Sequence, residues 1–410
     1  MIAIVGIIAL LGIAFLFSES RKSVQIDGVV KTLLLQIAIA VFALVTPIGA
    51  GVLNVLKQGV EKGIGYGNVG IEYIFGSLAL PENGFVLAFQ VFPIIIFIAS
   101  VFSVLFHLRI MDLVIKVLGG GIRFITGASR LESTCAAANI FIGMTEAPLV
   151  ILPYLKRISR SQLFIVMAVG LSSVAGTVLV AFASLGIRID LLLTAAFMAA
   201  PAGLLIGRIL VPETGTPFDI GESAESKAEL DASRASSVIE AASNGAMIGM
   251  QVFLNVLAVL LAFVALIALL NGILGGVGAW FGFPQLSMEL ILGYLFSPIS
   301  FLIGIPWEEA QRAGALLGQK LILNEFVAYA NFAPNMDTFS AHGQIVITIA
   351  LCGFANFGGV GILVAGLSAV VPERKSEISS LGVKAVLAGT LANFMSASIV
   401  SIIYTFLPVT

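Results

Sequence analysis

Charged residues are scarce in this chain. Only 11% of its 410 residues are Asp, Glu, Lys or Arg, whereas 59% are hydrophobic and the mean hydropathy is +1.09. Soluble domains carry about 25% charged residues, so this composition excludes a soluble globular domain and indicates a polytopic membrane protein. The net charge is −2 and no basic cluster is present, so nothing in the sequence suggests nucleic acid as a partner.

Cysteines and the common catalytic motifs are scarce as well. The two cysteines, Cys135 and Cys352, each lie in an apolar stretch, which suits small core residues better than a disulfide or a redox pair. The chain lacks a P-loop, a paired-histidine metal motif and a G-x-S-x-G nucleophile elbow. These absences argue against an ATP-driven pump and an intramembrane hydrolase. We therefore expect a protein that is not an enzyme and that holds no cofactor.

Long hydrophobic stretches, by contrast, are abundant. A membrane span needs about 20 apolar residues, and eight segments reach or approach this length. Residues 1–17 lack the basic start and the cleavage site of a signal peptide, so we interpret them as part of a retained first span. Two further stretches, 131–155 and 311–335, contain polar breaks and predict re-entrant hairpins. The eight predicted spans are roughly 1–18, 32–56, 85–106, 162–186, 191–210, 248–270, 345–370 and 385–407.

The basic residues test this layout. With eight spans and two hairpins, the basic residues named at the end of this paragraph all fall on one side, which the positive-inside rule makes cytoplasmic. Hairpins that crossed the membrane would instead scatter them over both faces. We therefore predict an all-α protein of the inner (cytoplasmic) membrane with both termini outside. The residues concerned are Arg21, Lys22, Lys31, Arg109, Lys116, Arg123, Arg130, Lys156, Arg157, Arg160, Arg208, Arg374, Lys375 and Lys384.

Two glutamates stand in the predicted hairpins. Glu146 lies in N-I-F-I-G-M-T-E-A-P, where Gly143 and Pro148 suggest a helix break, and Glu325 lies in L-N-E-F-V-A-Y. A carboxylate at bilayer depth is costly, so it is a functional-site hypothesis by default. Two broken, carboxylate-tipped segments in corresponding halves of a hydrophobic chain point to the binding site of a transporter. Neither tip carries Arg or Lys, which suits a neutral solute rich in hydroxyl and amine donors.

Predicted spans four and seven each contain a weak point. These are G-L-S-S-V-A-G-T-V at 170–178 and C-G-F-A-N-F-G-G-V-G at 352–361. Glycine costs a helix about 1 kcal/mol relative to alanine, so both clusters favour local unwinding. Unwound backbone exposes carbonyl groups that can coordinate a cation. The alternative is close helix packing through small residues.

An acidic segment divides the chain. Residues 212–240 hold seven acidic residues against Lys227 and Arg234 and predict a solvated cytoplasmic linker. On each side a hairpin precedes an interrupted span and a plain span; the first hairpin opens inward and the second outward, which predicts inverted repeats. The predicted domains are N-terminal scaffold spans with interfacial helices at 54–80 and 108–127 (1–130), a first transport repeat (131–210), the linker with span six and an interfacial helix (211–310), and a second transport repeat (311–410).

Three motifs together resemble those of the concentrative nucleoside transporters. They are A-A-N-I-F-I-G-M-T-E-A-P-L at 137–149, N-E-F-V-A-Y at 324–329 and C-G-F-A-N at 352–356. The resemblance extends from about residue 20 to 405. It implies eight spans, two re-entrant hairpins in inverted repeats and a homotrimer, in which each transport domain moves like an elevator.

The resemblance also implies binding residues. Thr145 and Glu146 would face the nucleobase with Val178 packed against it, and Glu325 and Asn356 would bind the ribose hydroxyls beside Phe354. A sodium ion would be bound by the Asn139 side chain, the Ser173 hydroxyl and three backbone carbonyl groups. Glu146 could instead carry a proton, so proton coupling is the alternative. The three carbonyl groups belong to Asn139, Ile142 and Val174.

Two positions depart from the commonest family pattern. Met144 stands where many members have a base-binding Gln, and Gly359 stands where many have a Ser that helps to hold the ribose. Gly143–Met144 resembles the purine-preferring variant of the family, although Met144 could simply fill a gap behind the tip. We therefore expect a cation-coupled importer of nucleosides, with sodium as the coupling ion and a lean toward purines. Proton coupling, a pyrimidine preference, and a passive channel for small polar solutes are the alternatives.

Overall fold

The structure is a computed structural model that describes residues 2–80, 86–219 and 235–407. Within these ranges the chain is helical and contains no β-strand, as the sequence predicts. Six helical segments are long and apolar enough to cross a membrane, and they correspond to predicted spans two to six and eight. The helices at predicted spans one and seven are shorter. The six segments are Ile26–Val45, Leu87–His107, Arg160–Ser184, Ile189–Leu210, Val238–Trp280 and Pro372–Phe406.

The N-terminal region contains a helix boundary that the sequence analysis placed wrongly. We predicted one span over 32–56, but α2 ends at Val45 and α3 begins at Pro47, because proline has no N–H to continue the α2 ladder. The Thr46 hydroxyl caps α3 by accepting a hydrogen bond from the Gly49 N–H at 3.0 Å. The first six helices are α1 (Ile2–Leu16), α2 (Ile26–Val45), α3 (Pro47–Phe75), α4 (Leu87–Gln90), α5 (Ile94–His107) and α6 (Ile110–Thr126).

The predicted first hairpin consists of a helix, a turn and a short 3-10 helix. Helix α7 (Arg130–Ala138) starts with a capping box formed by Ser129 and Glu132. The chain then turns, and a 3-10 helix covers Ala147–Tyr154. The span that follows is interrupted at 173–175, within the predicted weak point. It comprises α8 (Arg160–Ser172) and α9 (Gly176–Ser184), and α10 (Ile189–Leu210) follows.

The C-terminal half also contains an interrupted helical span. Residues 220–234, which hold most of the predicted acidic linker, lie outside the described residues. The chain bends by 117° between α12 and α13, and a second interruption, at 352–356, separates α15 from α16. The helices are α11 (Val238–Trp280), α12 (Met288–Leu302), α13 (Trp307–Ile322), α14 (Glu325–Phe332), α15 (Ala341–Leu351), α16 (Phe357–Val370) and α17 (Lys375–Phe406).

The interrupted span and two long helices form the buried centre of the structure. The most apolar window of α8–α9 is 89% buried, and those of α10 and α17 are each 83% buried. Helix α17 packs against α8, α10, α15 and α16, and both cysteines are free and buried, as predicted. The corresponding windows of α2 and α11 are only 28% and 11% buried, so these helices leave apolar faces for lipid or for other subunits.

A cluster of ion pairs joins distant parts of the chain at one end of the helices. Glu19, which follows α1, accepts hydrogen bonds from Arg160 at 3.0 Å and from Lys384 at 2.9 Å. The Arg160 guanidinium and the Lys384 ammonium lower the pKa of the Glu19 carboxyl. Arg374 donates to the carbonyl groups of Leu155 and Ile158. These contacts bring together basic residues that the sequence analysis assigned to one face.

Candidate functional site

The two helix interruptions lie against each other. In the first break (residues 173–175), the Ser173 carbonyl accepts a hydrogen bond from the Phe354 N–H at 3.1 Å, and Phe354 belongs to the second break (residues 352–356). The turn after α7 packs on the same region, because the Phe141 carbonyl accepts from the Gly176 N–H at 3.0 Å. Three segments that the sequence analysis selected separately therefore meet in space.

A buried carboxylate and amide form a polar pair in the C-terminal half of the chain. The Asn356 Nδ2 donates to Glu325 Oε2 at 2.9 Å, and the two residues are only 3% and 5% exposed. Both stand at helix N-termini, where partial positive charge stabilises a carboxylate. Asn356 caps α16 through the Gly359 N–H, and Asn324 caps α14 through the Val327 N–H. The cap fixes the Asn356 side chain, and the hydrogen bond from Asn356 holds the Glu325 carboxylate, so the pair can offer an acceptor and a donor to a polar solute.

The residues before Glu146 pack against helices of both halves. Met144 is 7% exposed, and a Cβ built on Gly170 of α8 would lie 3.1 Å from the Met144 Cβ. A Cβ built on Gly366 of α16 would lie 3.0 Å from the Thr145 Cγ2. Glycines at these two positions allow the turn to approach closely. Met144 therefore lies close to the backbone of α8 at Gly170.

Glu146 lies over the turn that precedes it. A Cβ on Gly143 would collide with the Glu146 carboxylate and would lie 3.7 Å from the Ala175 Cβ in the first break. Glu146 is half-buried, whereas Val178 is 5% exposed in the first turn of α9. Gly143 therefore lies beside the first break, Val178 follows that break in the chain, and half-buried Phe354 lies in the second break.

The predicted ion-binding side chains lie next to each other. Asn139 and Ser173 are 0% and 2% exposed, and the Ser173 hydroxyl donates to Asn139 Oδ1 at 3.4 Å. Asn139 directs its amide nitrogen away, toward the Cys135 carbonyl at 3.0 Å. Val174 lies in the non-helical first break, and Ile142 lies in the turn after α7. An oxygen donor set of this kind fits a hard cation such as sodium. The described residues contain no group of three or more His, Cys, Asp or Glu that could hold another metal.

The sequence analysis missed two buried polar residues, Lys320 and Asn393. Each is 2% exposed, and the Lys320 Nζ donates to Asn393 Oδ1 at 2.6 Å and to the Ala350 carbonyl at 2.7 Å. The hairpin tips themselves lack Lys and Arg, but Lys320 lies in α13, five residues before Glu325. A lysine inside a predicted hydrophobic hairpin was the signal that could have found it, because such residues are rare at bilayer depth.

Gly359 has a structural reason to lack a side chain. A Cβ at this position would collide with the Phe354 carbonyl oxygen and would lie 3.3 Å from Asn356 Oδ1. The Gly359 N–H also donates to that same amide oxygen at 2.6 Å. The second break is thus folded so tightly over residue 359 that a side chain there would displace it.

Models of a known protein family match most of the chain. A model described as Na+ dependent nucleoside transporter C-terminus matches residues 191–401, and its N-terminal counterpart matches residues 5–78. The chain belongs to the Na+-dependent, concentrative nucleoside transporter family. A third model, described as nucleoside recognition, matches residues 88–188, the part that contains the first hairpin segment and the first break. The protein is accordingly a transporter of this family and not an enzyme.

Individual relatives extend over the whole chain. The uncharacterized transporter YutK of Bacillus subtilis is 48% identical, with 97% of each chain covered. The nucleoside permease NupC of Helicobacter pylori is 43% identical, with 97% of this chain and 96% of the permease covered. A solved structure of CNTnw in an inward-facing substrate-bound state has a TM-score of 0.94 at 43% identity and covers 98% of this chain and 97% of that one.

We predict that Gly359→Ser weakens nucleoside binding, because the added side chain would collide with the Phe354 carbonyl oxygen. Overpacking typically costs about 1–3 kcal/mol, and 1.4 kcal/mol corresponds to a tenfold change in Kd, so we expect Kd to rise about tenfold. Equilibrium binding of labelled inosine to purified protein measures the change. Gly361→Ser is the matched control, because a Cβ there meets nothing within 4 Å. Unchanged or tighter binding by Gly359→Ser would show that the second break tolerates a side chain.

Proposed function

We propose that this protein is a sodium-coupled symporter that imports nucleosides and leans toward purine nucleosides. One observation carries the proposal: the buried Glu325–Asn356 pair adjoins a break whose Phe354 N–H is bonded to the Ser173 carbonyl. Ser173 is at the same time the hydroxyl partner of Asn139. The candidate solute site and the candidate ion site thus lie at two breaks that a backbone hydrogen bond joins, which supports coupled transport.

The solute site suits the hydroxyl-rich, uncharged part of a nucleoside. Ribose hydroxyls donate to the Glu325 carboxylate and accept from the Asn356 amide, and charge-assisted hydrogen bonds of this type are among the stronger ones. Thr145 and Glu146 face the nucleobase, and Val178 and Phe354 supply apolar surface beside it. Gly359 has no hydroxyl with which to contact the ribose. Glu325 and Asn356 therefore hold the ribose without a hydroxyl contact from residue 359.

The ion site gives sodium its role. Asn139 Oδ1 and the Ser173 hydroxyl bind the ion with the carbonyl groups of Asn139, Ile142 and Val174. Bound sodium supplies positive charge at the first break, and its ligands order the backbone that contacts Phe354. Glu146 carries the alternative: a half-buried carboxylate in the same turn makes proton coupling the second candidate.

The architecture completes the proposal. We assign eight spans, two re-entrant hairpins within 131–155 and 311–335, and inverted transport repeats over 131–210 and 311–410, with both termini outside the inner membrane. The interruptions at corresponding places in the two halves support the repeats. The exposed apolar surface of α11, whose window is 11% buried, supports a homotrimer that anchors a moving transport unit of the elevator type.

We predict that an inward sodium gradient drives accumulation of nucleosides against their own gradient in proteoliposomes. The binding of sodium and solute at linked breaks should make uptake depend on both. Replacing sodium with choline at fixed pH should reduce uptake to the level of protein-free vesicles. Uptake that is unchanged in choline would exclude sodium coupling and, if a pH gradient drives it, would assign the coupling to protons. Uptake that only equilibrates under every gradient would assign the passive channel.

We also predict that Glu325→Gln abolishes sodium-driven uptake and leaves the protein folded. The glutamine keeps an oxygen for the Asn356 amide but loses the charge that strengthens hydrogen bonds from the ribose. Uptake and size-exclusion elution of the purified protein measure the two properties. Glu309→Gln is the control. Glu309 is a buried carboxylate in the first turn of α13, and it accepts a hydrogen bond from the Ser340 N–H. Normal uptake by a well-folded Glu325→Gln would remove Glu325 from the ribose site.

Met144 supports the lean toward purines. A glutamine would offer a donor and an acceptor to a pyrimidine edge, whereas methionine offers a polarizable, adaptable surface. A buried polar group on the pyrimidine edge that is left unpaired costs about 1–3 kcal/mol. We therefore expect uridine to bind more weakly than inosine by a factor of roughly ten or more. Met144→Gln should shift this ratio toward uridine in a competition uptake assay. A preference for uridine in the wild type, or an unchanged ratio in the variant, would contradict the assignment.

A further inference from the structure

Lys320 and Asn393 form a buried polar unit next to both breaks. The two residues come from α13 and α17, and the Lys320 ammonium donates to Asn393 Oδ1 at 2.6 Å and to the Ala350 carbonyl at 2.7 Å. Ala350 lies in the last turn of α15, where the partial negative charge of the helix end favours a cation. An ammonium group at this depth requires such partners, because an unpaired buried charge is very costly.

The amide nitrogen of Asn393 completes the unit. It donates to the Ser172 carbonyl at 2.7 Å and to the Cys352 carbonyl at 3.0 Å. Ser172 is the last residue of α8, and Cys352 is the first residue after α15. Both amide hydrogens are used, and the oxygen accepts from an ammonium group that can only donate. The orientation of the Asn393 amide is therefore fixed by its surroundings.

The backbone is shaped to receive this amide. A Cβ built on Gly353, in the second break, would lie 2.6 Å from Asn393 Nδ2 and 2.7 Å from its Cγ. One turn earlier in α17, a Cβ on Gly389 would lie 2.9 Å from the Leu171 carbonyl carbon and from the Ala355 Cβ. The same face of α17 thus presses on both interrupted spans, through glycine at 389 and through the amide at 393.

We propose that Lys320 and Asn393 form a clamp that couples ion binding at the first break to nucleoside binding at the second. Asn393 holds the carbonyl group of the residue before Ser173 and that of the residue that opens the Cys352–Asn356 segment. Ordering of the first break by an ion is thereby transmitted to Asn356. Lys320 keeps the Asn393 amide turned toward both carbonyl groups. This inference rests on the proposed sodium coupling, and both residues act through the backbone that they position.

The test measures coupling directly. The Kd of inosine for the purified protein is measured in saturating sodium and again in choline. The coupling factor is the Kd in choline divided by the Kd in saturating sodium. We expect a ratio of about 5–150 for the wild type, the usual range of such couplings. Asn393→Leu removes both donors and Lys320→Met removes the charge, so either change should bring the ratio close to one.

Ser398→Ala is the matched control for these variants. Ser398 is a fully buried polar residue in α17, and its hydroxyl donates to the Phe394 carbonyl within the same helix. Its removal should leave the coupling factor unchanged. The melting temperature of every variant is measured as well as its coupling factor. A residue that acts on stability alone would lower the melting temperature and leave the coupling factor unchanged. If Asn393→Leu does not fold, Asn393→Ser and Lys320→Met carry the same comparison.

The outcomes separate this inference from the proposed function. A folded clamp variant that keeps the wild-type coupling factor overturns the clamp, whatever its melting temperature. If sodium does not strengthen inosine binding to the wild type, sodium coupling itself fails. The clamp is then judged on nucleoside affinity alone. Asn393→Leu should weaken inosine binding at least tenfold, and an unchanged Kd would overturn the clamp in that case too.

Discussion

Every other feature of the site depends on how the chain satisfies backbone groups where its helices stop inside an apolar interior. A carbonyl or N–H left without a partner in such surroundings costs several kcal/mol. In the first break, the Ser173 carbonyl accepts a hydrogen bond from the Phe354 N–H. The Gly176 N–H donates to the Phe141 carbonyl. Backbone hydrogen bonds therefore link the two breaks and the turn after α7 and stabilise all three.

The same requirement explains why the polar side chains of the site serve two purposes. Asn356 caps α16 with its oxygen and contacts Glu325 with its nitrogen. Ser173 bonds through its hydroxyl to Asn139 and through its carbonyl to Phe354. Each residue uses some of its polar atoms to pair groups at the ends of the interrupted helices. Its remaining donors and acceptors are available to a solute or an ion. The candidate binding groups of this protein therefore lie where regular helix is interrupted.

Sequence patterns predicted the parts of this arrangement that are local. Glycine clusters predicted both breaks, and isolated polar residues in apolar segments drew attention to Glu325 and Asn356, whereas Asn139 and Ser173 entered as sodium ligands only through the family resemblance. The boundary between α2 and α3 was missed, although Pro47 announces it, because the hydrophobic run continues through the proline. The partnership of Lys320 with Asn393 could not be predicted in the same way. The two residues are 73 positions apart, and only the packing of α13 and α17 on the breaks brings them together.

The length of α11 has a consequence for the surrounding lipid. A helix of 43 residues is about 65 Å long at 1.5 Å per residue, whereas the hydrocarbon core of a bilayer is about 30 Å thick. This helix must lean strongly, project into the solvent, or do both. It packs along α5 and also touches α12 and α14, the helix that begins at Glu325. Acyl-chain length in the host membrane thereby becomes a variable that acts on transport through hydrophobic mismatch.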